Sequence, residues 1–130
     1  MQPLAGVHVL LVDDDDDSRD IMRTIMEYQG ALVIVATSAK AALIVMETMK
    51  PDVLVSDINM PEHDGFWLLG EAHKRGWLDG VATLAVTALD FTAQQMTDAG
   101  FDSYLRKPVD PNMLCNTVQA LARGRKDVAS

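Results

Sequence analysis

The residues able to do chemistry are two adjacent carboxylates, Asp13 and Asp14, a third at Asp57, a hydroxyl at Thr87 and an ammonium at Lys107. Each closely follows a short apolar run of β type. Residues 7–12 precede Asp13, 53–56 precede Asp57, 81–86 precede Thr87, and a weaker run at 102–105 precedes Arg106 and Lys107. Clustered carboxylate oxygens, without cysteine or paired histidine, suit a hard cation such as Mg²⁺. Mg²⁺ favours a phosphate-bearing partner, and a lysine and a hydroxyl nearby can bind further phosphate oxygens. An aspartate beside a metal and a lysine can act as a nucleophile and carry an acyl phosphate. The candidate chemistry is phosphoryl transfer to an aspartate, with metal and lysine neutralising the charge on the transferring group.

That reading requires an architecture that brings distant residues to one place. The apolar runs, with another at 31–36, alternate with segments of helical period. The first four runs read as strands buried on both faces. In the first helix, from Ser18, Ile21, Met22, Ile25 and Met26 form an apolar stripe ended by Gly30. Thr37 and Ser38 resemble an N-cap for a second helix over 39–49, which carries Ala39, Ala42, Leu43 and Met46 on one face and stops before Pro51. A third helix is expected over 66–75, closed by Gly76. A short fourth runs from Phe91 or Thr92 to Asp98. A fifth opens at Pro111, turns Leu114, Val118 and Leu121 inward and ends at Gly124. Strand and helix alternate five times, the pattern of an α/β fold with a doubly wound parallel sheet. In such sheets ligands gather at the carboxyl ends of the strands, where all the residues above fall.

Composition narrows the function. The chain has 130 residues, the size of one domain, and is 48% hydrophobic, enough for a core. Its formal net charge is −8, which argues against direct nucleic-acid binding by phosphate neutralisation. Five of those negative charges are consecutive, at Asp13 to Asp17. The lone cysteine, Cys115, forms no internal disulfide and points to a reducing, cytoplasmic setting. No run approaches the roughly 20 apolar residues of a membrane span, and the first residues do not read as a signal peptide.

The ordered motifs Val-Leu-Leu-Val-Asp13-Asp14, Val-Ser-Asp57-Ile-Asn-Met-Pro61, Ala-Val-Thr87-Ala88 and Tyr104-Leu-Arg-Lys107-Pro108 resemble the receiver domain of two-component response regulators. The resemblance spans residues 7 to 108. It implies a (βα)5 flavodoxin-like fold with strand order 2-1-3-4-5, a single receiver domain over 1–130 with its core at about 6–123, and no output domain within the chain. By the same resemblance Asp57 is the phosphoacceptor. Asp14 is the main metal-binding carboxylate, Asp13 assists directly or through water, and the Asn59 backbone carbonyl completes a site for Mg²⁺, with Mn²⁺ as a substitute. Thr87 is the hydroxyl that moves to the phosphoryl group, Lys107 pairs with it across a cis Lys107–Pro108 peptide, and Tyr104 is the aromatic switch. The implied partners are a histidine kinase or histidine phosphotransfer protein as donor, and a downstream protein or output domain. The latter docks on the face of helix four, strand five and helix five, near Phe91, Tyr104 and Val109, and a phosphorylation-dependent dimer is a further implied state. The chain would then be a stand-alone regulator or a receiver cut from a hybrid kinase or longer regulator, a signalling module rather than a turnover enzyme.

Structural readings stand beside these. Asp16 or Asp17 is expected to cap the first helix. His8 reads as a core or edge residue, His63 and His73 as solvated, and Cys115 as a small core residue. Trp67 and Trp77 remain ambiguous, with Trp67 near enough to Asp57 to report on it. Two other function classes compete. Aspartate-nucleophile phosphatases place Asp-x-Asp after the first strand, whereas here the nucleophile motif follows the third and its plus-two residue, Asn59, has no proton to exchange. A flavin-binding domain needs a hydroxyl- and glycine-rich phosphate loop where this chain places aspartates.

Overall fold

The computed structural model describes residues 2–129, with side chains described through residue 124. Strands β1 (His8–Val12), β2 (Leu32–Ala36), β3 (Val53–Asp57), β4 (Ala82–Thr87) and β5 (Ser103–Arg106) alternate with helices α1 (Asp16–Tyr28), α2 (Ala39–Met46), α3 (Gly65–Lys74), α4 (Ala93–Ala99) and α5 (Pro111–Ala129). The strands form one parallel sheet in the order β2-β1-β3-β4-β5, as expected.

Strand alternation divides the core. Val9, Leu11, Val53, Val55, Leu84 and Val86 face α1 and α5, where Met22, Met26, Leu114 and Val118 cover them. Leu10, Val12 and Leu54 face Ala39, Ala42, Leu43 and Met46 of α2 and Leu68 and Ala72 of α3. A smaller cluster of Ile58, Leu69, Ala85, Met96 and Phe101 seats α4, with Phe66, Phe91 and Tyr104 at its margin. Helices on both faces force the site-bearing loops to one sheet edge.

The differences from expectation have physical causes. β2 is apolar throughout but is one of the two edge strands, so Leu32 is 56% and Ile34 44% exposed rather than buried on both faces. His8 opens β1 at its exposed end and is not a core residue. In α1 only Met22 and Met26 are fully covered; Ile21 lies more than a quarter of a turn from either and is 57% exposed. Ser38 caps α2 by accepting from the Ala41 N–H, but α2 ends at Met46. The chain leaves the helix through a turn on the Val45 carbonyl, before the restriction that Pro51 places on Lys50. Gly124 does not stop α5, which continues to Ala129. A mid-helix glycine costs about 1 kcal/mol, less than a break in a long helix packed along its inner face. Leu121 is only partly buried on that face.

Candidate functional site

Asp13 follows β1 by one residue and keeps the sheet pairing, its N–H donating to the Ala36 carbonyl at 3.2 Å. Asp57 and Thr87 are the last residues of β3 and β4. Lys107 follows β5 and donates its N–H to the Thr87 carbonyl at 2.9 Å. The four expected positions therefore lie at one carboxyl edge, and the Lys107–Pro108 peptide is cis, as the resemblance implied.

Their side chains converge. Asp13 is fully buried and Asp57 6% exposed, while Asp14 is exposed. One carboxylate oxygen from each of Asp13, Asp14 and Asp57 lies within 4.8 Å of the others. Lys107 Nζ donates to Asp13 Oδ2 at 2.8 Å and stands 3.4 Å from Asp57 Oδ2. Burial raises the Asp57 pKa, opposed by the Lys107 charge and aided by Asp13. Burial pulls the other way on Lys107, but its bond to Asp13 and the charges of Asp57 and Asp13 outweigh it, so its pKa rises. The ammonium is held charged between two buried carboxylates. This all-oxygen donor set fits a hard divalent ion and suits no soft metal.

The remaining expected residues surround this centre. Asn59 is exposed on the loop that leaves Asp57. Thr87 is buried, and its Oγ1 accepts the Leu89 N–H at 3.1 Å. Tyr104 pairs in register with Ala85, two residues before Thr87, so ring and hydroxyl occupy the same sheet face. Phe91 and Val109 are half-buried; Phe91 sits edge-on to Phe66 at 5.4 Å. A cavity of about 410 Å³ opens beside Lys107, lined by Asp15, Asp17, Ser18, Ile21, Met22, Ala88, Pro108 and Val109.

Several expectations need correction, and several contributors carried no strong sequence signal. The cap of α1 is Asp15, not Asp16 or Asp17. It alone has extended backbone, and its carboxylate accepts the Ser18 N–H at 2.8 Å. Asp16 and Asp17 sit in the first turn, where they complement the helix dipole. His63 is half-buried and stacks on Trp67 at 3.8 Å, so it is not simply solvated; His73 is exposed as expected. Cys115 is 7% exposed, and burial raises its thiol pKa, in keeping with a core role. Gly65, the first residue of α3, approaches the strand end so closely that a Cβ there would lie 2.5 Å from the Asp57 carbonyl oxygen. No side chain fits at that position without moving Asp57. Arg19 also escaped the sequence reading, although its spacing of three from Asp16 was a signal.

The comparisons agree with this geometry. The chain is 44% identical over 121 residues to an uncharacterized 14.6 kDa protein in the sodA1 3′ region of Leptolyngbya boryana, covering 92% of each. It is 34% identical over 123 residues to the response regulator MprA of Mycobacterium ulcerans (strain Agy99), covering 93% of this chain and 52% of MprA. The chain thus spans about half the length of that relative. Its fold matches the CheY-like response regulator receiver domain protein of Methanospirillum hungatei JF-1 with a TM-score of 0.85 at 28% identity, covering 95% of this chain and 98% of that one. With residues 9–119 matching the response regulator receiver domain, the chain belongs to that family of two-component signalling domains.

Proposed function

We propose that this domain accepts a phosphoryl group on Asp57 and converts it into a change of binding surface. The observation that carries the reading is the Lys107 ammonium set between Asp13 at 2.8 Å and Asp57 at 3.4 Å, beside a third carboxylate from Asp14. Three carboxylates converge where, among the described residues, Lys107 is the one cation ion-paired with any of them, an arrangement that favours a divalent ion and a phosphoryl group arriving together.

Asp13, Asp14, Asp57 and the Asn59 backbone carbonyl would hold Mg²⁺, or Mn²⁺ in its place. When bound, the ion supplies positive charge to the carboxylates and to the transferring phosphoryl oxygens. The donor is a phosphohistidine on a histidine kinase or histidine phosphotransfer protein. An Asp57 carboxylate oxygen attacks phosphorus, the P–N bond breaks, and its electron pair stays on the imidazole nitrogen, which takes a proton from solvent. Lys107 neutralises charge on the phosphoryl oxygens. Thr87 then gives up its bond with the Leu89 N–H and donates its hydroxyl to the phosphoryl group, and Tyr104 turns into the space released.

The output is a changed α4–β5–α5 face, read by a downstream protein or output domain or by a second phosphorylated copy. Residues 6–123 form the receiver core in this reading, acting in the cytoplasm as a signalling module. The test is intact mass after incubation with acetyl phosphate and Mg²⁺. A single phosphate adduct is expected, absent from Asp57→Asn and absent in EDTA. An adduct that persists in Asp57→Asn overturns the assignment.

A further inference from the structure

Arg19 is a cation beside the candidate metal centre, and the chemistry above does not use it. Its side chain is only 13% exposed. Nη1 donates to the Asp13 backbone carbonyl at 3.0 Å, and Nη2 to Asp16 Oδ1 at 2.6 Å. That carbonyl belongs to the peptide unit joining Asp13 to Asp14. Other bonds hold the flanks of the same loop: the Asp13 N–H donates to the Ala36 carbonyl, Asp13 Oδ1 accepts the Asp15 N–H at 2.9 Å, Asp15 caps α1, and the Arg19 N–H donates to the Asp15 carbonyl at 2.9 Å. Among the described residues, Arg19 is the one side chain bonded to the peptide between the two carboxylates. A turn about the Asp13–Asp14 peptide that the neighbouring dihedrals do not compensate would swing the Asp14 carboxylate, which is exposed.

We propose that Arg19 is a positioning residue for divalent-cation binding, fixing the Asp13–Asp14 peptide plane so that both carboxylates converge with Asp57. The inference rests on the metal reading above. A planar guanidinium suits the task, because its fork of fixed donors reaches a carbonyl and a carboxylate at once. Lysine keeps the charge and loses the fork.

The sign of the effect separates positioning from charge. Coulomb's law alone says that deleting a positive charge near a cation site tightens cation binding. Positioning says that it weakens binding. The experiment titrates MgCl₂ alone into wild type, Arg19→Gln, Arg19→Lys and Asp14→Ala, followed by calorimetry and tryptophan fluorescence. Thermal melting in EDTA establishes that each variant is folded. Arg19→Gln and Arg19→Lys should both bind Mg²⁺ roughly tenfold more weakly than wild type, the scale of groups that orient metal ligands. Wild-type or tighter binding by Arg19→Gln overturns the proposal, as does wild-type binding by Arg19→Lys, which carries the test if Arg19→Gln does not fold. Equal binding by wild type and Asp14→Ala removes the metal reading itself, a different failure from loss in Asp14→Ala with none at Arg19.

Discussion

Lys107 Nζ stands 3.4 Å from Asp57 Oδ2 while its short bond, 2.8 Å, goes to Asp13. Asp57 is therefore the less compensated of the two buried carboxylates. A phosphoryl group on Asp57 would give Lys107 a more highly charged partner within a small movement. Lys107→Met should reduce the rate of phosphorylation by acetyl phosphate about a hundredfold, the cost of removing one preorganised donor from a developing anion. It should leave Mg²⁺ binding intact or tighter, because a competing cation is gone. Initial rates by mass spectrometry at saturating Mg²⁺ check this, and an unchanged rate would dismiss Lys107 from the chemistry.

The same imbalance sets a pH dependence. Burial raises the Asp57 pKa, so ionising Asp57 is harder in the folded chain than in the unfolded one. At pH well below the ordinary aspartate value of about 3.9 the group is protonated in both states and costs nothing. As pH rises from there through the raised folded value, stability is lost, and the loss is complete above it. Asp57→Asn abolishes this cost. In EDTA the variant should melt a few degrees higher than wild type at neutral pH. The gap should shrink towards pH 4. A gap that is absent or widens in acid contradicts the sign.

The sequence is legible where one physical cause dominates. Strand runs buried on both faces are continuously apolar, and the polar residue that ends each of them had to lie at the carboxyl edge. Asp13, Asp57 and Thr87 are legible that way and Lys107 from its place after the weaker run at 102–105, and the structure brings them together. Edge and centre were not separable, because Leu32 and Ile34 of the edge strand are as apolar as Leu10 and Leu54 of the central ones. Within the acidic run all five side chains are chemically identical. Backbone conformation alone makes Asp15 the cap and sends Asp16 to Arg19. Gly65 was invisible because its cause is an approach to the Asp57 carbonyl, between elements set in place only by the folded chain.

Thr87 and Tyr104 should couple phosphorylation to the output face. The Thr87 hydroxyl is buried and engaged with the Leu89 N–H at 3.1 Å, so its departure releases the start of the β4–α4 loop. Arg106 of β5 also reaches that loop, through an exposed ion pair with Asp90 and a 3.5 Å bond to the Ala88 carbonyl; an exposed pair by itself is worth little. Thr87→Ala should still form the Asp57 adduct. It should lose most of the phosphorylation-dependent change in amide exchange across residues 88 to 105, because the phosphoryl group then has no hydroxyl through which to bias the two states. Exchange changes equal to wild type would break the proposed link.

Leu89 should lengthen the life of the aspartyl phosphate. In hydrolysis a water oxygen attacks phosphorus opposite the Asp57 oxygen, the P–O bond to Asp57 breaks, and the water's proton passes to solvent. By resemblance to the family, Asn59 and Leu89, two residues after Asp57 and Thr87, flank that approach. Asn59 is exposed and able to orient a water. Leu89 is 44% exposed, a large apolar side chain two residues beyond the end of β4, with its own N–H bonded to the Thr87 hydroxyl. Its side chain offers water no hydrogen bond, and bulk at that position would exclude water from the path. Leu89→Gln and Leu89→Glu supply an amide or a carboxylate that orients water, and orientation of this kind is worth about 1.4 kcal/mol for each factor of ten in rate. Both variants should lose phosphate up to about tenfold faster than wild type at saturating Mg²⁺, with phosphorylation itself little changed. Equal decay rates in all three proteins would assign Leu89 to the partner-binding surface instead.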